Sequence, residues 1–279
     1  MITDKETNKL GLSPLLEKRY PLFFQNFKKA LDENGIEPAY LPKTKDVWCV
    51  DFMPVQISES EFVQFKFDPK YLKPKKYHKT ISDPSLICAQ LDLSPSVTDI
   101  IADGGNVTRT KNKVIMTTRV MEENPTYTVR HLTDKITELF GIDQLILIPT
   151  QPDDFTGHSD GMVRFLDENT LLVNDYSKEP DQEFVRSLHA ALHNTGLEVL
   201  ELPTSIFDNQ RTDDATGDYI NYLHMEGVVF LPTFNRKEDD QVIKQFEELF
   251  NGTSIVPVAS NQLSKDGGIL NYISWNIKK

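Results

Sequence analysis

Polar residues that could do chemistry recur in five short stretches whose neighbours are mostly apolar residues or glycine. Several are carboxylates and one is a histidine, so their convergence on one cavity would create an acidic site. A guanidinium ion would suit that site, because its N–H donors form a fixed fork that carboxylates accept in pairs. Two aspartates aimed into a closed pocket would repel each other unless a cation lay between them. The residues are Asp51 in WCVDFMP, Asp103 and Asn106 in DGGN, His158 and Asp160 in GHSDG, Asn221 in YINY and Tyr272 in GGILNYIS.

A metal ion is the rival ligand for such a cluster. Only one histidine, His158, joins the set, and no second His or Cys lies at a metal-ligand spacing from it. The sequence therefore favours an organic cation, and it predicts neither a metal site nor a cofactor.

Three stretches of the chain repeat one pattern of apolar strand, amphipathic helix and second apolar strand. The apolar side chains of the helices recur at three-and-four spacing, as at Val185, Leu188 and Leu192, and a glycine follows each helix. A further short strand precedes each unit and carries the polar residues, which gives a ββαβ order with a period of about fifty to sixty residues. The three units begin at ADGGNV (102–107), GHSDGMVRF (157–165) and GDYINYLH (217–224).

Two further units complete a ring. Residues 46–101 form a more degenerate fourth unit, and the fifth is divided between the two ends of the chain. GGILNYISWN supplies strands of this fifth unit, with Tyr272 in the closing strand, and residues 14–42 supply its helix and another strand. Because no linker rich in Gly, Ser or Pro divides the chain, we predict a single domain over residues 1–279, in which equivalent positions face one another at the axis.

The composition excludes several classes of protein. The net charge of −12 argues against nonspecific nucleic-acid binding and is compatible with a cationic small molecule. The two cysteines lie in unrelated contexts, and neither a secretory signal nor an apolar run of membrane-spanning length is present. We therefore expect a cytoplasmic protein that binds neither nucleic acid nor membrane. The basic stretch KFDPKYLKPKKYHK (66–79) reads as a solvated loop in preference to a lid.

The five motifs, taken in order, resemble those of the agmatine deiminase and bacterial peptidylarginine deiminase family. The resemblance covers nearly the whole chain. Each motif alone is a weak match, but the five in this order are a strong one. It implies an α/β fold, the five-bladed α/β-propeller (pentein) of pseudo-repeated ββαβ units. It also implies a hydrolase of polyamine metabolism that converts a guanidino group to a ureido group and ammonia. The ligand would be agmatine, an arginine derivative or peptidyl-arginine.

The resemblance also implies roles for individual residues. Asp51 and Asp160 look like the two carboxylates that bind the guanidinium ion, and His158 looks like the general acid and base, oriented by Asp103. In the family a thiolate attacks the guanidinium carbon, and the histidine protonates the departing ammonia and then activates water. Substrate-binding positions in this sequence would be Trp48 at the entrance, together with Asn106, Asn221 and Asn271.

Two motifs depart from the family pattern. Tyr272 occupies the position of the nucleophilic cysteine, with Asn271 in place of the preceding histidine, and Val50 stands where the family has arginine. A phenol ionises near pH ~10 against ~8.5 for a thiol, and it is the harder nucleophile. Cys49 reads first as a small buried hydrophobe, as a free cysteine usually is. Its thiol is an alternative nucleophile if residues 49–51 are extended, because residues two apart in a strand share a face.

Two functions from different classes follow. The first is a guanidine deiminase, which Tyr272 and Val50 oppose because the family chemistry requires a thiolate. The second is a catalytically inactive relative that binds a guanidino compound or only keeps the fold. A third possibility is that the sequence is a variant of an active parent with cysteine at position 272.

Overall fold

The computed structural model describes all 279 residues and contains five separate three-stranded sheets. In each sheet the central strand pairs antiparallel with one neighbour and parallel with the other. The strands are β1 (Lys9–Leu12), β2 (Ala39–Tyr40), β3 (Val55–Gln56), β4 (Phe62–Lys66), β5 (Ser96–Ile101), β6 (Thr108–Arg109), β7 (Lys113–Thr117), β8 (Gln144–Ile148), β9 (Val163–Phe165), β10 (Thr170–Asn174), β11 (Glu198–Leu202), β12 (Leu223–Met225), β13 (Val228–Thr233), β14 (Ser254–Ala259) and β15 (Trp275–Ile277).

A helix connects the two parallel strands of every sheet, as parallel pairing requires a crossover connection. In the sheet of β6, β7 and β8, the helix over Val129–Phe140 is capped by Thr128, whose hydroxyl accepts a hydrogen bond from the backbone N–H of His131, and is followed by Gly141 in the left-handed conformation. The predicted ββαβ order is confirmed. The helices are α1 (Leu15–Arg19), α2 (Pro21–Glu33), α3 (Cys49–Phe52), α4 (Pro84–Gln90), α5 (Arg119–Glu123), α6 (Val129–Phe140), α7 (Gln182–His193), α8 (Asp239–Leu249) and α9 (Asn261–Ser264).

The fifth sheet joins the two ends of the chain, as predicted, but its central strand, β1, precedes the residues 14–42 that were expected to contribute. Strand β15 pairs antiparallel with β1, with Trp275 opposite Gly11, and β1 pairs parallel with β2. Helix α2 packs its apolar face toward the neighbouring sheet, where the rings of Phe27 and Phe230 meet edge to face at 5.7 Å. The molecule is therefore a closed five-bladed α/β-propeller, the pentein fold.

The prediction that Tyr272 lies in the closing strand is wrong. Residues 270–273 form a turn, and the strand begins only at Trp275. The side-chain oxygen of Asn221 accepts hydrogen bonds from the backbone N–H groups of Asn271 and Tyr272, at 3.1 and 3.3 Å, so these groups are not free for a sheet.

A short turn or helix precedes the first strand of every blade, and these five segments carry the polar motifs. They are residues 49–52, 104–106, 159–161, 219–221 and 270–273. Neighbouring segments are bonded to one another: the backbone N–H of Val50 donates to the carbonyl of Tyr272 at 3.3 Å. The blades thus bring the five motifs together at the axis. No helix in the chain is both long enough and apolar enough to span a bilayer.

Candidate active site

The imidazole of His158 lies between two carboxylates at the axis. Its Nε2 lies 2.8 Å from Oδ2 of Asp103, and its Nδ1 lies 3.5 Å from Oδ1 of Asp51. All three side chains are buried. Residues from three different blades therefore meet at one point, as their positions in the motifs predicted.

Two glycines of the DGGN motif permit this convergence. A Cβ atom on Gly105 would lie 2.7 Å from both Oδ1 of Asp51 and Nδ1 of His158. A Cβ atom on Gly104 would lie 2.0 Å from the backbone oxygen of Val50. Only a residue without a side chain lets the 104–106 turn approach the other two segments this closely.

Asp160 completes the acidic cluster. Its Oδ2 accepts a hydrogen bond from the amide of Asn271, while its Oδ1 is buried without a partner. Oδ1 of Asp51 and Oδ1 of Asp103 also lack hydrogen-bond donors. Buried carboxylate oxygens are normally paired, so three unpaired ones in one cluster indicate a site that holds protons or a cation.

The cluster favours a charged histidine. Burial by itself lowers the pKa of His158, but the carboxylates of Asp51, Asp103 and Asp160 raise it to about 10. Burial also raises the pKa of the carboxyl groups of Asp51 and Asp160 above the usual range. His158 is therefore an imidazolium at neutral pH, and it offsets part of the surrounding negative charge.

Tyr272 lies directly against this histidine. The two rings are nearly parallel, with an interplanar angle of 25° and centroids 5.6 Å apart, and the phenol is only 7% exposed. Tyr272 also lines a cavity whose wall includes neither His158 nor Asp160. Burial, reinforced by Asp160, raises the pKa of the Tyr272 phenol well above its usual value. The ring therefore stays neutral and separates the cavity from the histidine.

The cavity has a volume of about 330 Å³, and seven aromatic residues contribute to its wall. Asp51 is the acidic residue at its inner end, and Arg19 and Arg211 lie at its rim. Both arginines are already paired, Arg19 with Asp46 at 2.8 Å and Arg211 with Asp213 at 2.6 Å. The aromatic residues in its wall are Trp48, Phe52, Phe67, Tyr71, Tyr77, Phe155 and Tyr272.

Two predicted substrate-binding residues hold the scaffold together. The side-chain oxygen of Asn106 accepts hydrogen bonds from the backbone N–H groups of Thr117 and Ser159, at 2.8 and 3.2 Å. Asn221 joins the 270–273 turn to the backbone of Asp160. Neither side chain lines the cavity, and direct contact of either with a ligand stays a prediction. Trp48 does line the cavity, as predicted, whereas Asn271 reaches Asp160 behind it.

The interpretation of residues 66–79 as a purely solvated loop is wrong. Tyr71 from this loop donates its hydroxyl to Oδ2 of Asp103 at 2.9 Å, and its ring lies edge to face against Phe155. No sequence pattern predicts this contact, because the loop has no apolar periodicity. Asp218, which directly precedes the YINY stretch, was not predicted as a site residue. It is buried and lies beside Tyr272 and Gly161.

The alternative nucleophile, Cys49, does not reach the cavity. Residues 49–52 form a helical turn, so residues 49 and 51 do not share a face as they would in a strand. Cys49 is fully buried in a cluster with Leu41 and Met53, and burial raises the pKa of its thiol. No thiol lies at the site, and no group of three or more His, Cys, Asp or Glu residues is arranged to hold a metal ion.

Comparisons with known proteins agree with this geometry. A Mycoplasma mycoides subsp. mycoides SC protein with a provisional assignment as an agmatine deiminase is 21% identical, over 90% of this chain and 79% of its own. The structure of C. jejuni agmatine deiminase is similar over all of this chain and 95% of its own, with a TM-score of 0.81 and 19% identity. A Cys-to-Ser variant of that enzyme with substrate bound gives a TM-score of 0.78 at 19% identity, over all of this chain and 96% of its own.

A family match covers most of the chain as well. Residues 25–277 match the Porphyromonas-type peptidyl-arginine deiminases. The five-bladed fold, the order of the motifs and this match lead to one conclusion: the chain belongs to that deiminase family.

Proposed function

We propose that this protein binds a guanidino compound or a related organic cation in the aromatic cavity and does not hydrolyse it. The observation that carries the proposal is the position of Tyr272, whose ring closes the inner cluster off from the cavity. Asp51 remains in the cavity wall as an acceptor for a cation, and the flat guanidinium ion can stack on the surrounding rings.

The inner cluster cannot drive the family reaction through this tyrosine. Nucleophilic attack on the guanidinium carbon requires the nucleophile to lose its proton to a base. The phenol of Tyr272 holds its proton firmly, and His158 is already protonated by its carboxylate neighbours. A protonated imidazole has no lone pair with which to accept another proton. Hydrolysis therefore lacks both an ionised nucleophile and a general base.

Loss of the nucleophile is compatible with retained binding. The C. jejuni enzyme holds its substrate in a Cys-to-Ser variant. In the present protein the cavity wall keeps a net negative charge, because it holds four aspartates, Asp46, Asp51, Asp213 and Asp266, and only two arginines. A cationic ligand is thus favoured over an anionic one.

The test combines binding and turnover. Calorimetry with agmatine and with a blocked arginine should show heat that is lost in Asp51→Asn and retained in Asp240→Asn. Asp240 is an exposed aspartate on α8 and serves as the matched control. Ammonia release should stay at the level of a blank. Absence of heat with every guanidino compound would overturn the binding proposal, and clear ammonia release would overturn the lack of turnover.

A further inference from the structure

The walls of the cavity are built from aromatic pairs that meet at steep angles. Trp48 and Tyr272 lie edge to face at 85° with centroids 6.4 Å apart, and Tyr71 and Phe155 do so at 84° and 5.5 Å. Phe52 and Phe67 form a third pair at 65° and 5.9 Å. Rings at such angles form corners, so they enclose a volume from several sides.

Most of the charged groups in the cavity wall are already paired, because both rim arginines form ion pairs with aspartates of the same wall. The inner carboxylate and histidine side chains at 103, 158 and 160 do not line the cavity. Asp51 does, and Oδ1 of its carboxylate lies 3.5 Å from Nδ1 of His158 without a hydrogen-bond donor. A cation with many N–H groups would leave most of them facing rings that cannot accept strong hydrogen bonds, at a cost in desolvation. An alkylated cation has few N–H groups, so its transfer into the cavity costs little in desolvation.

We propose that the cavity is an aromatic cage for a methylated organic cation, such as a quaternary ammonium ion or a methylated guanidinium ion. The π face of an aromatic ring attracts a cation, and the methyl groups gain apolar contact that an unsubstituted ammonium ion cannot make. The carboxylate of Asp51 balances the charge at the inner end. A volume of about 330 Å³ suits a small molecule.

This inference rests on the proposed cation site and narrows the class of cation. Tyr272 links the loss of hydrolysis to the class of cation that is bound. At a position where the family has cysteine, it removes access to the inner cluster and at the same time adds a ring to the cage. The substitution that opposes hydrolysis thereby shifts recognition from hydrogen bonding toward cation–π contact.

The experiment measures affinity for choline and for ethanolamine, which differ by three methyl groups on nitrogen. Choline should bind at least about tenfold more tightly. Phe155→Leu should weaken choline binding about tenfold, because it removes one ring from the wall. Phe155 is 48% exposed, so its replacement leaves the core intact. Tyr40→Leu changes an aromatic residue of similar exposure outside the cavity and should have no effect.

The outcomes separate the two proposals. Choline affinity equal to that of ethanolamine, or unaffected by Phe155→Leu, would overturn the cage. Agmatine binding without choline binding would overturn the cage and leave the guanidino proposal standing. Choline binding without agmatine binding would overturn the guanidino proposal and leave the cage standing. A peptide with trimethyl-lysine, tested beside choline, distinguishes a free cation from a protein side chain as the source of the same chemistry.

Discussion

Two compartments lie on either side of the Tyr272 ring, and they differ in almost every physical property. The inner one holds His158 and the carboxylates of Asp103 and Asp160, all nearly inaccessible to solvent. The outer one is a cavity with aromatic walls and a charged rim. The family chemistry needs the two joined, with a nucleophile at the junction. One side chain at that junction therefore decides whether the site can turn over or only bind.

The largest expected effect is the removal of this partition. Tyr272→Cys takes away the ring and places a thiol beside a protonated histidine, which lowers the pKa of a cysteine. Ammonia release from agmatine should rise at least about 100-fold above that of Tyr272→Ser, which opens the site without a competent nucleophile. A folded Cys variant that binds agmatine and releases no more ammonia than the Ser variant would contradict this role of Tyr272.

The next prediction compares the free energy of unfolding that is lost when one ion pair is broken in each compartment. Asp103→Asn leaves the buried imidazolium of His158 short of one charge partner and should cost about 3–5 kcal/mol of the free energy of unfolding. Asp46→Asn breaks the pair with Arg19, whose side chain is 41% exposed, and should cost at most about 1 kcal/mol. Urea denaturation measures both. Equal losses would show that the inner cluster is not electrostatically distinct from the rim.

Of the two compartments, only the inner one should contribute to stability in a way that depends on pH. The pKa of His158 is raised to about 10 in the folded protein, against ~6.5 in an unfolded chain. Its stabilising contribution is therefore complete below about pH 6.5 and is lost as the pH rises toward 10. The stability difference between the wild type and His158→Gln should be largest near pH 6 and should shrink by pH 10. A difference that does not change with pH would place a neutral histidine in the cluster.

The smallest effect concerns a residue shared by both compartments. The hydroxyl of Tyr71 donates to Asp103, whereas its ring lies in the cavity wall. Tyr71→Phe should cost about 1 kcal/mol of stability through the lost hydrogen bond and change choline affinity less than about twofold. A large loss of choline affinity, measured by calorimetry, would show that the hydroxyl takes part in binding.

The inner compartment could be predicted from the sequence, and the reason is geometric. Asp51, Asp103, His158 and Asp160 lie in short segments at equivalent positions of a repeated unit, so the repeat itself places them at the axis. The glycines beside Asp103 show that backbones must pack closely there. Local patterns of this kind are independent of distant contacts, and a sequence displays them directly.

Apart from Trp48, most of the outer compartment could not be predicted, because much of its wall comes from loops. Tyr71 and Phe155 lie in segments without periodicity, and only the folded chain shows that they meet. The error at Tyr272 and the failure of the alternative nucleophile Cys49 share another cause. Both residues lie in apolar stretches that read as strands, but tertiary hydrogen bonds, such as those from the 270–273 turn to Asn221, favour turns instead.

One sample can test the proposal that the protein binds a cation and that the inner cluster does not hydrolyse it. Agmatine is added to saturation while the two indole N–H signals are followed by NMR and ammonia is measured. The signal of Trp48 should move, and that of Trp275, which is buried and donates to the carbonyl of Pro54, should not. Ammonia should remain at the level of the blank. Ammonia that accumulates in proportion to the protein would contradict the account.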